Sequence, residues 1–93
     1  MHFIDQGSRI IAVDASEQEV GEITFTRMGT DLASFDHTFV NPELRGHSIA
    51  EMLVQKAAEV MRKENRKVLP YCSYVERLFE RKKEYADIWA QDK

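Results

Sequence analysis

The hydrophobic pattern of this chain changes once, at Asn41–Pro42. Before this point apolar and polar residues alternate, which is typical of strands with one buried face. The alternation predicts three strands with short connections, over residues 9–14, 22–27 and 32–40. Three consecutive strands joined in this way form an antiparallel meander.

Beyond Asn41 the pattern becomes helical. Apolar residues at positions 49, 53, 57, 60 and 61 lie on one helix face. Residues 68–71 then predict a short strand, and Ser73 is placed to cap a second helix over residues 74–81. The order β-β-β-α-β-α predicts an α+β fold, in which the antiparallel meander continues into a parallel strand pair and the helices pack on the sheet.

Pro70 lies near the end of the last predicted strand. It has no N–H to donate to a neighbouring strand. We therefore expect the parallel pair to separate near Pro70 and to leave a gap at its C-terminal ends. Ligands of such sheets usually bind at this position.

The composition fits one small domain spanning residues 1–93, with 43% hydrophobic and 31% charged side chains. The single cysteine, Cys72, excludes an internal disulfide and fits a reducing compartment. No apolar run approaches the roughly 20 residues of a membrane span, and the N-terminus lacks the blocks of a signal peptide. We therefore expect a cytoplasmic protein with no membrane partner.

Charge is divided between the two halves of the chain. Residues 1–40 hold seven acids against two bases, and residues 62–83 hold eight bases against three acids. This division suits a protein that binds an anion with one half and a cation with the other, although solvated surface charge explains it equally well. The chain as a whole is acidic and its bases are not interleaved with a stacking motif, so no nucleic acid is expected. A monomer and a weak homodimer both stay open.

The segment from Pro42 to Ala50 joins a predicted strand to the first helix. The first N–H groups of a helix have no intrahelical acceptor, and the helix dipole favours an anion beside them. Arg45 adds a positive charge that can contact a phosphate. The residues alone therefore leave two interpretations open, an ordinary helix end capped by Ser48 and an anion site.

The loop Arg45-Gly46-His47-Ser48-Ile49-Ala50 resembles the acetyl-CoA signature (Q/R)-x-x-G-x-(G/A) of the GNAT acetyltransferases. Four blocks occur in the order seen in the small YjdJ-type branch of that superfamily: His37-Thr38-Phe39-Val40, Pro42-Glu43-Leu44-Arg45-Gly46, Pro70-Tyr71-Cys72 and Glu84-Tyr85. The resemblance implies a GNAT-like mixed sheet. It also implies an enzyme that transfers an acetyl group from acetyl-CoA to an amine, either a small molecule or a protein lysine.

The resemblance further implies where the coenzyme binds. Acetyl-CoA would lie in the gap between the strands at 32–40 and 68–71, with its pyrophosphate on the loop. Its thioester carbonyl would accept a hydrogen bond from a main-chain N–H near Phe39 or Val40. Arg77 and the neighbouring bases would contact the 3′-phosphate or the adenine end. The implied coenzyme-binding residues are Phe39, Val40, Arg45, Gly46, His47, Ser48, Ile49, Ala50, Tyr74 and Arg77.

Two residues are candidates for catalysis. Cys72 could protonate the leaving thiolate, accept the acyl group or only pack beside the thioester. His37 could act as the general base, because its ordinary pKa is close to neutrality. However, the alternation places His37 on one face with Phe35 and Phe39, where a hydrogen-bonded core histidine is equally consistent. Following the habit of the family, we favour direct attack by the amine over a covalent intermediate.

Two positions depart from the family pattern. Ser48 stands at the fixed glycine position of the signature, which restricts the backbone if a positive φ is required there. Phe79 stands where the family usually has the Tyr that protonates the departing thiolate, and Phe79 has no hydroxyl. The alternative functions are therefore a coenzyme A-binding regulatory module with little or no catalysis, or a plain protein-interaction domain.

Overall fold

A computed structural model describes residues 1–44 and 48–90 and confirms the predicted α+β fold. The elements are β1 (His2–Asp5), β2 (Arg9–Val13), β3 (Glu19–Met28), β4 (Leu32–Val40), α1 (Ile49–Lys63), β5 (Lys67–Pro70) and α2 (Ser73–Arg81), with single 3₁₀ turns at Pro42–Leu44 and Lys83–Tyr85. Strands β1 to β4 are antiparallel neighbours in sequence order, and β5 lies parallel to β4.

The edge strand β1 was not among the strands predicted from the sequence. It pairs with β2 through four residues, and three of these four are exposed. An exposed strand of this length has no alternating apolar face, so the pattern carried no signal for it. The second helix also begins one residue earlier than predicted, because Cys72 rather than Ser73 occupies the N-cap position.

Both helices pack on one face of the sheet. Gly21 of β3 faces Leu53 of α1, since a Cβ at Gly21 would lie 3.3 Å from Leu53 Cδ1. Phe25 lies on the same face of β3, because residues two apart in a strand point the same way. Phe25 contacts Phe35, and Phe35 contacts Phe79 of α2, with ring centroids 6.0 and 6.4 Å apart. The buried residues of the sheet and of both helices form a single core.

A β-bulge at Asp36 divides β4 into two parts. Thr24 pairs with His37 and Phe25 pairs with Phe35, so Asp36 is an extra residue in β4. Its carboxylate accepts hydrogen bonds from the hydroxyls of Thr26, at 2.8 Å, and Ser34, at 2.7 Å. A single extra residue reverses the side-chain alternation that follows it.

The predicted alternation through β4 was therefore wrong after Asp36. Phe35 is buried, as expected, but His37 and Phe39 are exposed, and Val40 is buried instead. His37 is not a core histidine. Alternating sequences look the same with and without a bulge, so the sequence pattern could not reveal this change of face.

Strands β4 and β5, the parallel pair, separate at Pro70, as the sequence predicted. The register of β4 and β5 ends with Phe35 opposite Pro70. Beyond it, the N–H groups of Tyr71 and Cys72 both donate to the Phe35 carbonyl, each at 3.1 Å, and the chain turns away into α2. A gap therefore opens beside residues 37–40 of β4.

Arg27 and Arg66 link strands β3 and β4 to Glu64, at the C-terminal end of α1. Arg66 donates to the Leu32 carbonyl at 2.8 Å and to Glu64 at 2.7 Å. Arg27 of β3 pairs with the same carboxylate at 2.8 Å. The hydrogen bond from Arg27, and then that from Arg66, lower the pKa of Glu64 to about 2.

The end of the chain closes the core beside β5. Tyr85 is buried and stacks on Phe79, with ring centroids 5.1 Å apart. Trp89 lies beside Val68 in a short parallel bridge and packs edge-on against Phe79. Neither described helix is long and apolar enough to cross a membrane.

Candidate functional site

A cavity of about 440 Å³ lies between the second part of β4, the start of α1 and α2. This volume falls within the range of small-molecule sites, which is roughly 300–1,000 Å³. Its lining combines polar and apolar residues and comprises Thr38, Val40, Leu44, Ser48, Ile49, Ala50, Glu51 and Tyr74. The cavity therefore sits at the gap that the sequence predicted.

The start of α1 lines this cavity with N–H groups that have no partner among the described residues. The first intrahelical hydrogen bond runs from Met52 N–H to the Ser48 carbonyl, at 3.0 Å. The N–H groups of Ile49, Ala50 and Glu51 precede it and have no acceptor within the helix. The Ser48 side chain makes no capping hydrogen bond to them within the described part of the chain. This helix end is therefore open to an anion.

Ser48 adopts the left-handed conformation that the signature glycine would favour, with φ +62° and ψ +20°. A residue with a Cβ in this region is strained by roughly 1–2 kcal/mol. Ser48 thus adopts a positive φ although it is not a glycine. Arg45, Gly46 and His47, the other predicted residues of the loop, lie outside the described residues.

The free edge of β4 also presents main-chain donors to the gap. Asn41 N–H donates to the Val20 carbonyl of β3 at 2.7 Å. N–H directions alternate along a strand, so Phe39 N–H also points to β3. The N–H groups of Thr38 and Val40 point the opposite way, towards the gap. Of the two donors predicted from the sequence, Val40 is the one on the open edge.

Cys72 and Tyr74 lie at the α2 side of the gap. The Cys72 sulfur is 3.8 Å from the Thr38 hydroxyl, and Thr38 lines the cavity. Cys72 is partly buried, as the N-cap residue of α2. Tyr74 lines the cavity directly, and its partial burial, with a further contribution from Glu51, raises the pKa of its hydroxyl.

Three predicted residues lie away from the cavity. His37 and Phe39 are exposed on the opposite face of β4 from Thr38 and Val40. Phe39 is 54% exposed, which leaves its ring free of the core. Arg77 is exposed on α2, one turn beyond Tyr74. The site therefore has two sides: the cavity on the helix-covered face, and His37 and Phe39 on the open face of the same strand.

Three lining residues, Thr38, Leu44 and Glu51, were not predicted from the sequence. Thr38 shares the predicted face of Val40, and this shared face was an available signal for it. Glu51 gave no signal, because one acidic residue in the first turn of a helix is usual. Its carboxylate is 3.2 Å from the ammonium group of Lys82, at the end of α2.

A comparison of the sequence with known protein families identifies the family to which this cavity and fold belong. Residues 9–88 match the model of the GCN5-related N-acetyltransferase domain. The chain belongs to the GCN5-related N-acetyltransferase family. This membership confirms the family, the acetyltransferase class and acetyl-CoA as the cosubstrate, all of which the resemblance implied. Among curated proteins, none matches this GNAT chain in sequence.

Solved structures share the fold of this GNAT chain. A GCN5-like protein from Staphylococcus aureus has a TM-score of 0.80 at 23% identity, covering 99% of this chain and 90% of that one. A Mycobacterium tuberculosis protein solved in complex with CoA has a TM-score of 0.62 at 23% identity, covering 68% of this chain and 40% of that one. Tetrahymena GCN5 has a TM-score of 0.65 at 16% identity, covering 91% and 61%. The present GNAT chain thus spans nearly all of the first structure but about half of the other two.

Phe79, which the resemblance matches to the usual catalytic Tyr of the family, is buried. Phe79 is 2% exposed and lies between the rings of Phe35 and Tyr85. It packs in the core and offers no proton to the cavity. The hydroxyls that line the cavity belong, among the described residues, to Thr38, Ser48 and Tyr74.

Proposed function

We propose that this GNAT domain transfers an acetyl group from acetyl-CoA to an amine that attacks the thioester directly. The observation that carries the proposal is the joint position of two sets of donors on one cavity. The open N–H groups of α1 favour the pyrophosphate, and the Val40 N–H on the edge of β4 favours the thioester carbonyl. The acetyl-CoA chain would run between them, through the gap beside β4.

The two faces of β4 suggest how the substrates meet. The coenzyme would occupy the helix-covered face, where Thr38 and Val40 lie. The amine would approach from the open face, where His37 is exposed and accessible as a base. The neutral amine would add to the thioester carbon, and His37 would take the proton that its nitrogen loses. The resulting tetrahedral intermediate would then collapse as the carbon–sulfur bond breaks and the coenzyme A thiolate leaves.

In this proposal Cys72 lies beside the thioester and forms no covalent bond to the acetyl group. Its sulfur contacts the Thr38 hydroxyl at 3.8 Å, and no described His, Asp or Glu is its hydrogen-bond partner. A nucleophilic cysteine needs a base or a depressed pKa. We therefore assign Cys72 a packing role next to the acetyl group.

A coenzyme A-binding module with little or no catalysis is the second candidate. The burial of Phe79, in place of the usual Tyr, favours it, because no residue is assigned to protonate the leaving thiolate. The two candidates share the cavity and differ only in turnover. A single domain over residues 1–93, a cytoplasmic location and a monomer or weak homodimer stay predictions.

Release of free thiol from acetyl-CoA, with polyamines, lysine peptides and small amines as acceptors, tests the proposal. Wild-type protein should release thiol only when a suitable amine is present. Binding of acetyl-CoA without turnover on any amine would favour the module, and no binding at millimolar acetyl-CoA would refute both candidates.

The substitution Val40→Pro tests the thioester contact in particular. It removes the N–H that faces the gap and leaves the hydrogen bonds to β3 in place. The transfer rate should fall about 10²–10³-fold, as when one oxyanion donor is lost. The matched variant Phe39→Pro removes an N–H that points to β3, and should reduce stability instead.

A further inference from the structure

Glu51 is the only charged residue among the described residues that line the cavity. It lies in the first turn of α1, beside the N–H groups that are open to an anion. A carboxylate in this place repels a phosphate, and the low dielectric of a partly closed cavity strengthens the repulsion. An acidic residue at this position is therefore unexpected in a site that binds a nucleotide coenzyme.

The ion pair between Glu51 and Lys82 explains why an acid stands here. Lys82 follows the last residue of α2, and its ammonium group is 3.2 Å from the Glu51 carboxylate. The Lys82 side chain is 45% exposed and that of Glu51 is 23% exposed. An ion pair this accessible to solvent adds little to folding stability. Its effect is to hold the ammonium group of Lys82 against a lining residue of the cavity, whose described lining carries no positive side chain.

We propose that Lys82 is a phosphate-binding residue of the coenzyme site, which Glu51 holds in place until the coenzyme arrives. On binding, the ammonium group exchanges the Glu51 carboxylate for a phosphate oxygen of the nucleotide end. This inference rests on the proposed function and selects one residue among the bases of α2 and the turn after it. Lys83 is the next residue, is equally basic and exposed, and makes no ion pair with any described residue.

Calorimetric titration with coenzyme A tests the proposal through a double-mutant cycle. Lys82→Met should weaken binding about tenfold, as the loss of one charge-assisted contact does, and Lys83→Met should change it less than about twofold. Glu51→Gln should leave binding equal or tighter, because it removes a negative charge and frees Lys82. Thermal unfolding checks that each variant is folded.

The decisive comparison is made in the Glu51→Gln background. If Lys82 contacts a phosphate, Lys82→Met still weakens binding about tenfold there. If Lys82 only neutralises Glu51, Lys82→Met has no effect once the acid is gone, and the proposal is overturned.

Truncated ligands identify the phosphate. An effect of Lys82→Met that persists with 3′-dephospho-coenzyme A assigns the contact to the pyrophosphate, and an effect that disappears assigns it to the 3′-phosphate. An equal effect on pantetheine, which has no phosphate, would overturn the proposal. If wild-type protein does not bind coenzyme A at all, the proposed function fails together with this inference, whereas wild-type binding that Lys82→Met leaves unchanged refutes this inference alone.

Discussion

Residues 32–35 and residues 37–40 belong to the same strand, β4, but their surroundings differ. The first part has β3 on one side and β5 on the other, and its Ala33 and Phe35 are fully buried. The second part pairs with β3 alone, and its other edge faces a cavity. The bulge at Asp36 and the end of β5 at Pro70 fall at the boundary between them.

The difference shows how a small sheet can combine stability with a binding site. A strand that is paired on both sides has its main-chain donors and acceptors occupied. Ending one neighbour frees an edge of N–H groups, and the bulge turns Thr38 and Val40 towards the helix-covered face at the same point. Substitutions in the first part should therefore change stability, and substitutions in the second part should change binding and turnover.

The largest expected effect is that of Phe35→Ala. Phe35 is 0% exposed and contacts both Phe25 and Phe79, so its removal leaves a cavity in the core. The free energy of unfolding, measured by urea denaturation, should fall by about 3–5 kcal/mol. Phe39→Ala, in the exposed second part, should change it by no more than about 0.5 kcal/mol. Equal losses for the two variants would contradict the division of β4.

Gly21→Ala should have the next largest effect. A Cβ at Gly21 would lie 2.9 Å from the Phe39 carbonyl oxygen and 3.3 Å from Leu53 Cδ1. The carbonyl belongs to the paired edge of the second part, and it cannot move without disturbing the ladder. Stability should fall by about 1–3 kcal/mol. The loss should be as large when Gly21→Ala is added to a Leu53→Ala background, where the methyl has more room on the helix side, because the carbonyl still opposes it. Unchanged stability in Gly21→Ala would show that β3 and β4 can separate freely here.

Low pH should weaken the ion pairs that Glu64 makes with Arg27 and Arg66 beside the first part of β4. The pKa of Glu64 is lowered to about 2 in the folded protein, from an ordinary value of 4.5, so its contribution is present above pH 4.5 and is lost as the pH falls towards 2. The carboxylate is a third exposed, so solvent screening limits this contribution to about 1 kcal/mol.

Glu64→Gln should therefore flatten the fall in stability between pH 4.5 and 2 by about that amount, measured by urea denaturation across the range. Glu76→Gln is the matched control, because Glu76 is exposed on α2 and makes no ion pair within the described residues. If both variants show the wild-type dependence of stability on pH, the ion pairs of Glu64 with Arg27 and Arg66 add no stability.

The smallest effect is expected for Cys72→Ala. Cys72 is partly buried and contacts Thr38 through a long 3.8 Å interaction, so stability should change by less than about 1 kcal/mol. The rate of acetyl transfer should stay within about tenfold of wild type, because a packing residue takes no part in proton or acyl transfer. A loss of more than about 10²-fold with intact acetyl-CoA binding would restore the acid or nucleophile assignment.

Much of the fold could be predicted from the sequence, because the alternating and helical patterns are long enough to be distinct. The order of the last four strands and both helices, the gap at Pro70 and the helix end at Ser48 all follow from such signals. The edge strand His2–Asp5 was missed because three of its four residues are exposed.

The second part of β4 could not be predicted from pattern alone. The bulge at Asp36 depends on hydrogen bonds from Thr26 and Ser34, which come from two places in the chain and leave no periodic signal. It moved His37 and Phe39 to the open face. The pairing of Glu51 with Lys82, which are 31 positions apart, is likewise a product of how α1 and α2 pack.

The most direct test of the central claim is a titration of isotope-labelled protein with acetyl-CoA, followed through its amide NMR signals. If the second part of β4 and the start of α1 form the coenzyme site, the amides of Thr38, Val40 and Ala50 should shift strongly, and that of Ala33 should shift little. No shifts at millimolar acetyl-CoA, or shifts centred on the first part of β4, would contradict it.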